Sequence, residues 1–258
     1  MSNIAKPRTD NPLNVKSVFK ALDILEAFED RPRHLSLGDL VKATGLDKSA
    51  VQRFTHTLVQ RGYLEQDPNT RRFALGRQIL AVSFDFLRGQ ELIARAAPIL
   101  LDLRNTLQER VDLSLRHGDM LLYVMRLQHK RETYSAGLIG RRLPLYFSAG
   151  GRAMLSKLSD EEAHAIVTRS DRLKRTPKTQ TDVEAIMQAV RRARDRGYAI
   201  QAEEGKLDEV AAAAAITDSD GTPVAAVHVA ASLNEWSISR FEERVASLIV
   251  SAAQEISR

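Results

Sequence analysis

Residues 36–54 of this chain read SLGDLVKATGLDKSAVQRF, the spelling of two short helices joined by a tight turn at Thr44-Gly45-Leu46. Ser36 is placed to cap the first helix and Asp47 the second, each accepting a hydrogen bond from an otherwise unpaired amide. Gly45 suits the left-handed backbone that such a turn demands. Leu37, Leu40, Val41, Leu46, Val51, Phe54 and Leu58 recur at helical spacing and predict one small core. Lys48, Ser49, Gln52, Arg53 and His56 are left on the outer face, and no acidic residue occurs from Lys48 to Leu64. Such a face suits the major groove, where Arg and Gln read base edges and Lys neutralises phosphate. A solvated helical hairpin inside an enzyme would share much of this pattern.

The neighbouring segments narrow the choice. Residues 17–28 form an amphipathic helix that supplies a third wall of the core, and Gly62 ends the second helix of the pair as a C′ glycine. Tyr63–Gln66, Asp67–Thr70 and Arg71–Leu75 then read as strand, turn and strand. Three helices followed by a basic hairpin make a winged helix-turn-helix. Arg71 and Arg72 would face opposite ways if both lay in the strand, so at most one would reach phosphate well. The candidate DNA contacts are Ser36, Lys48, Ser49, Gln52, Arg53, His56, Arg71 and Arg72.

Composition agrees. Of the net charge of +5, residues 1–90 carry +4 (14 Lys/Arg against 10 Asp/Glu), which puts the surplus beside the hairpin and wing. The 258 residues suffice for two domains. The absence of cysteine rules out a disulfide framework and thiolate metal ligation, and suits a reducing cytoplasm. No apolar run approaches a membrane span, so no membrane partner is expected, and residues 1–14 read as a disordered tail.

Beyond the winged helix-turn-helix domain, 15–76, residues 77–89 form a short linker helix that is apolar on most sides and needs burial, most simply by a symmetric copy. Residues 90–258 mix strands and helices without strict alternation, the pattern of an α+β domain with an antiparallel sheet. A helix from about Glu91 to Gln108 is followed by strands at 112–116 and 120–127. Leu145–Phe147 leads into Ser148-Ala149-Gly150-Gly151 and a helix. Another helix starts at Ser159, and a third, capped by a Thr181/Glu184 box, ends at Gly197. Strands are expected at 198–200, 210–216 and 224–231, then a terminal helix capped by Ser239 and Glu242.

Two motifs in the right order, GLDKSAVQR (45–53) with Gly62-Tyr63 and GRRLPLYFSAGGRAML (140–155), resemble the IclR family of bacterial transcriptional regulators over nearly the whole chain from Val15. The resemblance implies a winged helix-turn-helix, a dimerising linker helix and a GAF-like effector-binding domain. It also implies a homodimer or homotetramer on a double-stranded DNA operator, responding to a small organic acid. Ser148, Ala149 and Gly150 become one wall of the effector pocket, where helix-start amides would favour an anion; tight packing of helix on sheet would explain the glycines equally.

By the same resemblance Glu203, Ala211, His228 and Ala230 become further pocket positions. Alanines at 211 and 230 cannot hydrogen-bond a compact keto acid through their side chains. One imidazole, His228, in an otherwise apolar wall suits a larger, flatter ligand, and residues 142–146 resemble the branch regulating aromatic-acid catabolism, so an aromatic acid is expected. A core histidine bonded to backbone is the other reading of His228. Tyr134, Tyr146 and Arg126 could join the pocket or be ordinary core and surface.

Enzyme signatures are missing: no nucleophile elbow, phosphate loop, dinucleotide fingerprint or histidine pairing suited to zinc, and no cofactor is implied. The adjacent acids Glu203-Glu204 and Glu161-Glu162 read as solvated. An enzyme with a DNA-binding appendage and a ligand-independent DNA-binding protein remain the alternatives.

Overall fold

The structure, a computed structural model, describes residues 11–29, 32–128 and 139–258, and the chain divides into two compact units at Gly89/Gln90. The fold is α+β, a helix-turn-helix unit followed by a unit built on an antiparallel sheet.

In the first unit, α1 (Lys16–Glu26), α2 (Leu37–Thr44) and α3 (Lys48–Gln60) enclose a core of Ile24, Leu40, Val51 and Leu58. Ser36 and Asp39 form a reciprocal capping box at α2, and Asp47 accepts from Ala50 N at 2.8 Å at the start of α3. Gly45 has φ +69°, the left-handed turn expected between them. The wing is β1 (Leu64–Gln66) paired antiparallel with β2 (Phe73–Leu75). Its arginines correct an expectation: β2 begins after them, and Arg71 sits at φ +57°, so strand alternation does not orient the pair. Residues 11–14 form a turn closed by Asn14 N donating to Asn11 O. Helix α4 (Gln78–Arg88) buries none of its residues within the chain, and Leu80 and Phe84 are 74% and 59% exposed.

The second unit begins with α5 (Glu91–Leu107) and carries β3 (Arg110–His117), β4 (Met120–Leu127), β5 (Arg142–Pro144), β6 (Ala199–Ala202), β7 (Glu209–Thr217) and β8 (Pro223–Ser232). They form one antiparallel sheet in the order β5-β4-β3-β8-β7-β6. Helices α6 (Ala149–Leu155), α7 (Asp160–Arg169), α8 (Val183–Arg196) and α9 (Ile238–Ser257) complete it, with α6 and α9 both packing on β7. Alternate residues of β7 divide the work: Ala211, Ala213 and Ala215 join Ala149 and Ala153 of α6 in one small-residue cluster. Alanine on both sides lets helix and sheet approach closely there.

Two helix starts differ from expectation. Asp182, not Thr181, caps α8 by accepting from Ala185 N, and Glu184 pairs with Arg191 instead. Ser237, not Ser239, caps α9, while Glu242 serves Arg196 and Tyr198. A bulge in β4 sets Leu113 opposite Met125 but Ser114 opposite Tyr123, with Val124 the extra residue.

Candidate nucleic-acid interface and ligand pocket

Lys48, Ser49, Gln52, Arg53 and His56 line one groove over α3, closed on the wing side by Gln66 and Arg71. Gln66 Nε2 donates to Arg71 O at 3.0 Å, which fixes the wing backbone that carries Arg71. Arg72 turns elsewhere, donating to His34 O at 3.3 Å and standing 3.6 Å from Asp39. Ser49 donates to Asp47 at 2.7 Å, and that bond with the Ala50 amide holds the Asp47 carboxyl below its usual range. Ser36 is committed to its capping box, its hydroxyl donating to Asp39 at 2.7 Å. The groove therefore brings together Lys48, Gln52, Arg53, His56 and Arg71, whose side-chain heads have no hydrogen-bond or ion-pair partner among the described residues, and separates them from Ser36 and Arg72.

In the second unit, cross-strand register builds a cavity of about 410 Å³ on the sheet face toward α6. Residues opposite one another on neighbouring strands share a face. One such row runs Gln201, Ala211, Ala230, Arg110; the next runs Ala213, His228, Asp112, Arg126. The β4 bulge brings Tyr123 to this same face beside Arg126. Phe147, Ser148 and Ala149 form the opposite wall, with Arg141 and Lys206 at the rim. Ala211, His228, Ala230, Ser148 and Ala149 are thus brought together as expected.

Other expected positions fall outside the lining. Tyr146 is buried and donates to Asp171 O at 3.2 Å. Glu203 faces Lys178 and the Asp208 amide, which hold its carboxyl below the usual range. Gly150 backs the cavity instead of lining it, since a Cβ there would lie 2.0 Å from His228 Cε1. The Gly151 amide is taken by Ser148 Oγ at 3.1 Å. Tyr134 lies outside the described residues.

The wall is not apolar around a single imidazole, as the sequence suggested. Asp112, 2% exposed, receives Arg126 Nε at 2.9 Å and Arg110 Nε at 3.2 Å, and Arg110 also meets Glu209 at 3.0 Å. His228, 4% exposed, pairs with Ser114 Oγ at 2.7 Å rather than with backbone. Burial, reinforced by Arg110 and Arg126, pushes its pKa down to about 3, so the ring is neutral and a poor base near pH 7. Asp112 is spent on the two arginines, so the hydroxyl–imidazole pair lacks the orienting acid of a hydrolytic triad. Burial, with Asp112 nearby, pushes the Tyr123 phenol up. These charged residues had a signal: Arg110, Asp112 and Ser114 alternate with Val111, Leu113 and Leu115, a polar face on a buried strand.

Behind the pocket, Arg152 and Glu204 form a buried bidentate pair at 2.6 and 2.7 Å, and Glu204 also accepts from Gln180 N at 2.9 Å. Of the two adjacent acids expected in solvent at 203–204, Glu204 is therefore buried.

A helix-turn-helix with a wing, followed by a sheet domain holding a charged chamber, defines a DNA-binding transcriptional regulator. The IclR helix-turn-helix domain profile matches residues 17–68, and the bacterial transcriptional regulator IclR C-terminal profile matches residues 84–258. The chain belongs to the IclR family. It is 27% identical over 249 residues to the Pca regulon regulatory protein of Pseudomonas putida, covering 96% of this chain and 85% of that one. A crystal structure of a transcriptional regulator from Rhodococcus sp. RHA1 superposes with a TM-score of 0.78 at 27% identity, over 95% of this chain and 97% of that one. An IclR homolog from Microbacterium hydrocarbonoxydans, solved with 4-hydroxybenzoate, shares the fold at TM-score 0.74 and 21% identity, over 93% and 97% of the two chains. No helix among the described residues is long and apolar enough to cross a membrane.

Proposed function

We propose that the protein is a ligand-responsive regulator that binds a pseudo-palindromic operator as a homodimer or a pair of dimers. Residues 15–76 bind DNA, residues 77–89 join the two copies, and residues 90–258 sense an organic acid of aromatic character. The carrying observation is the α3 groove, where Lys48, Gln52, Arg53, His56 and Arg71 converge on a cleft whose lining holds no carboxylate among the described residues. Gln52 and Arg53 take base edges, Lys48, His56 and Arg71 take phosphates, and paired α3 helices enter major grooves about 34 Å apart.

The exposed Leu80, Val82, Phe84 and Phe86 of α4 support dimerisation, since large apolar side chains grouped on one short helix favour a protein partner over water. The chamber's cations support an anionic ligand, and Tyr123, Phe147 and His228 give it flat surfaces suited to a ring. Ligand occupancy shifts the grip on DNA through a coupling free energy, for which ~1–3 kcal/mol is typical. Selection of duplexes from a random pool, followed by binding titrations with and without benzoate, tests the reading. A palindromic consensus whose affinity changes with the acid is expected; no preference over random duplex overturns it.

A further inference from the structure

Two cations of the chamber stand without a carboxylate among the described residues. In the middle of its floor the charges cancel, because Asp112 takes Arg110 and Arg126, and Glu209 takes Arg110. Arg141 and Lys206 make no ion pair among the described residues, which leaves the lining with four cations against two carboxylates. With His228 neutral, the surplus is two positive charges.

Their placement matters as much as their number. Arg141 adjoins β4, its carbonyl accepting from Tyr123 N at 3.0 Å. Lys206 lies in the turn between β6 and β7. Strands β4 and β6 are four steps apart in the sheet, a span of about 19 Å at about 4.8 Å per step. Both residues line the one chamber, from opposite ends of the sheet. Between them the floor includes Ala211 and Ala230, whose side chains form no hydrogen bond.

A single carboxylate can engage only one of these two cations, whereas a ligand with two carboxylates can take a charge-assisted hydrogen bond from each. A volume of about 410 Å³ suits a small ligand with groups at both ends. We propose that the ligand of this chamber is a dicarboxylic acid, one carboxylate on Arg141 and the other on Lys206, its ring or chain lying over Ala211 and Ala230. The inference rests on the anion-sensing reading above and narrows it.

Calorimetric titration of the full-length protein with terephthalate against benzoate, and adipate against hexanoate, tests it. Each diacid is expected to bind about tenfold or more tightly than its monoacid, since one further charge-assisted contact is worth at least that. Arg141→Gln and Lys206→Gln, both at exposed positions that leave the core untouched, should each bring terephthalate to about the affinity of benzoate. Benzoate itself should respond to only one of them. Monoacids binding as tightly as diacids, or either variant leaving terephthalate unaffected, overturns the proposal while the organic-acid reading stands. If none of the four acids binds, both readings fall.

Discussion

Gly150 and His228 occupy one another's van der Waals space: a methyl group on Gly150 would stand 2.0 Å from His228 Cε1 and 2.5 Å from Nε2. The helix wall and the sheet floor of the chamber meet through this contact. Replacing Gly150 by Ala must displace the imidazole and break its bond to Ser114. A loss of about 1–3 kcal/mol by urea denaturation is expected, as for overpacked cores. Adding His228→Ala should recover much of it. An unchanged midpoint for the single variant would contradict the contact.

The same burial makes stability depend on pH. His228 titrates near 3 in the folded chain against 6.5 when unperturbed. Between those values the unfolded chain binds a proton that the native chain refuses. Stability is therefore complete above pH 6.5 and declines as the pH falls, by about 1.4 kcal/mol per unit. Denaturation midpoints compared at pH 7 and pH 5 should show the decline in the wild type and a smaller one in His228→Gln. Equal slopes in the two proteins would remove His228 as the cause.

Arg152 and Glu204 are each buried by the other's charge. Removing one partner strands the other, so Glu204→Leu alone should cost about 3–5 kcal/mol, whereas Arg152→Met with Glu204→Leu should cost clearly less than the two single losses added. Additive losses in a double-mutant cycle would show that the two side chains act independently.

The wing arginines should behave unequally. Arg71 faces the α3 groove and Arg72 is drawn toward Asp39 and the His34 carbonyl. Arg71→Ala should weaken binding to every duplex and lower the salt slope by about one unit, as should Lys48→Ala, with Arg72→Ala close to wild type. Arg53→Ala should instead relax base preference. A larger effect from Arg72 than from Arg71 would reverse the assignment.

Phe84→Glu places a charge in the exposed apolar face of α4. Light scattering after size exclusion should show a dimer becoming a monomer. A variant that keeps the wild-type mass would mean that another surface joins the copies.

The helix-turn-helix was legible because its determinants are local: caps at Ser36 and Asp47, a left-handed Gly45 and apolar residues at helical spacing. Local rules also produced the two misplaced caps. Asp182 stands beside Thr181, and Ser237 two residues from Ser239, so adjacent candidates competed for the same orphan amides. The alanine and histidine positions of the chamber could be carried across by resemblance, but its charges could not. Arg110 meets Glu209 across 99 positions and Arg152 meets Glu204 across 52, pairings that exist only once the strand order is known.

The extra residue at Val124 makes β4 a strand that changes phase partway along. Because facing alternates residue by residue, Tyr123 and Arg126, three places apart, share a wall only through that extra residue. Deleting Val124 alone would leave them two places apart in a regular strand, still side by side. A bulge displaced beyond either of the pair would instead turn one of them to the far side while every other strand stayed in register.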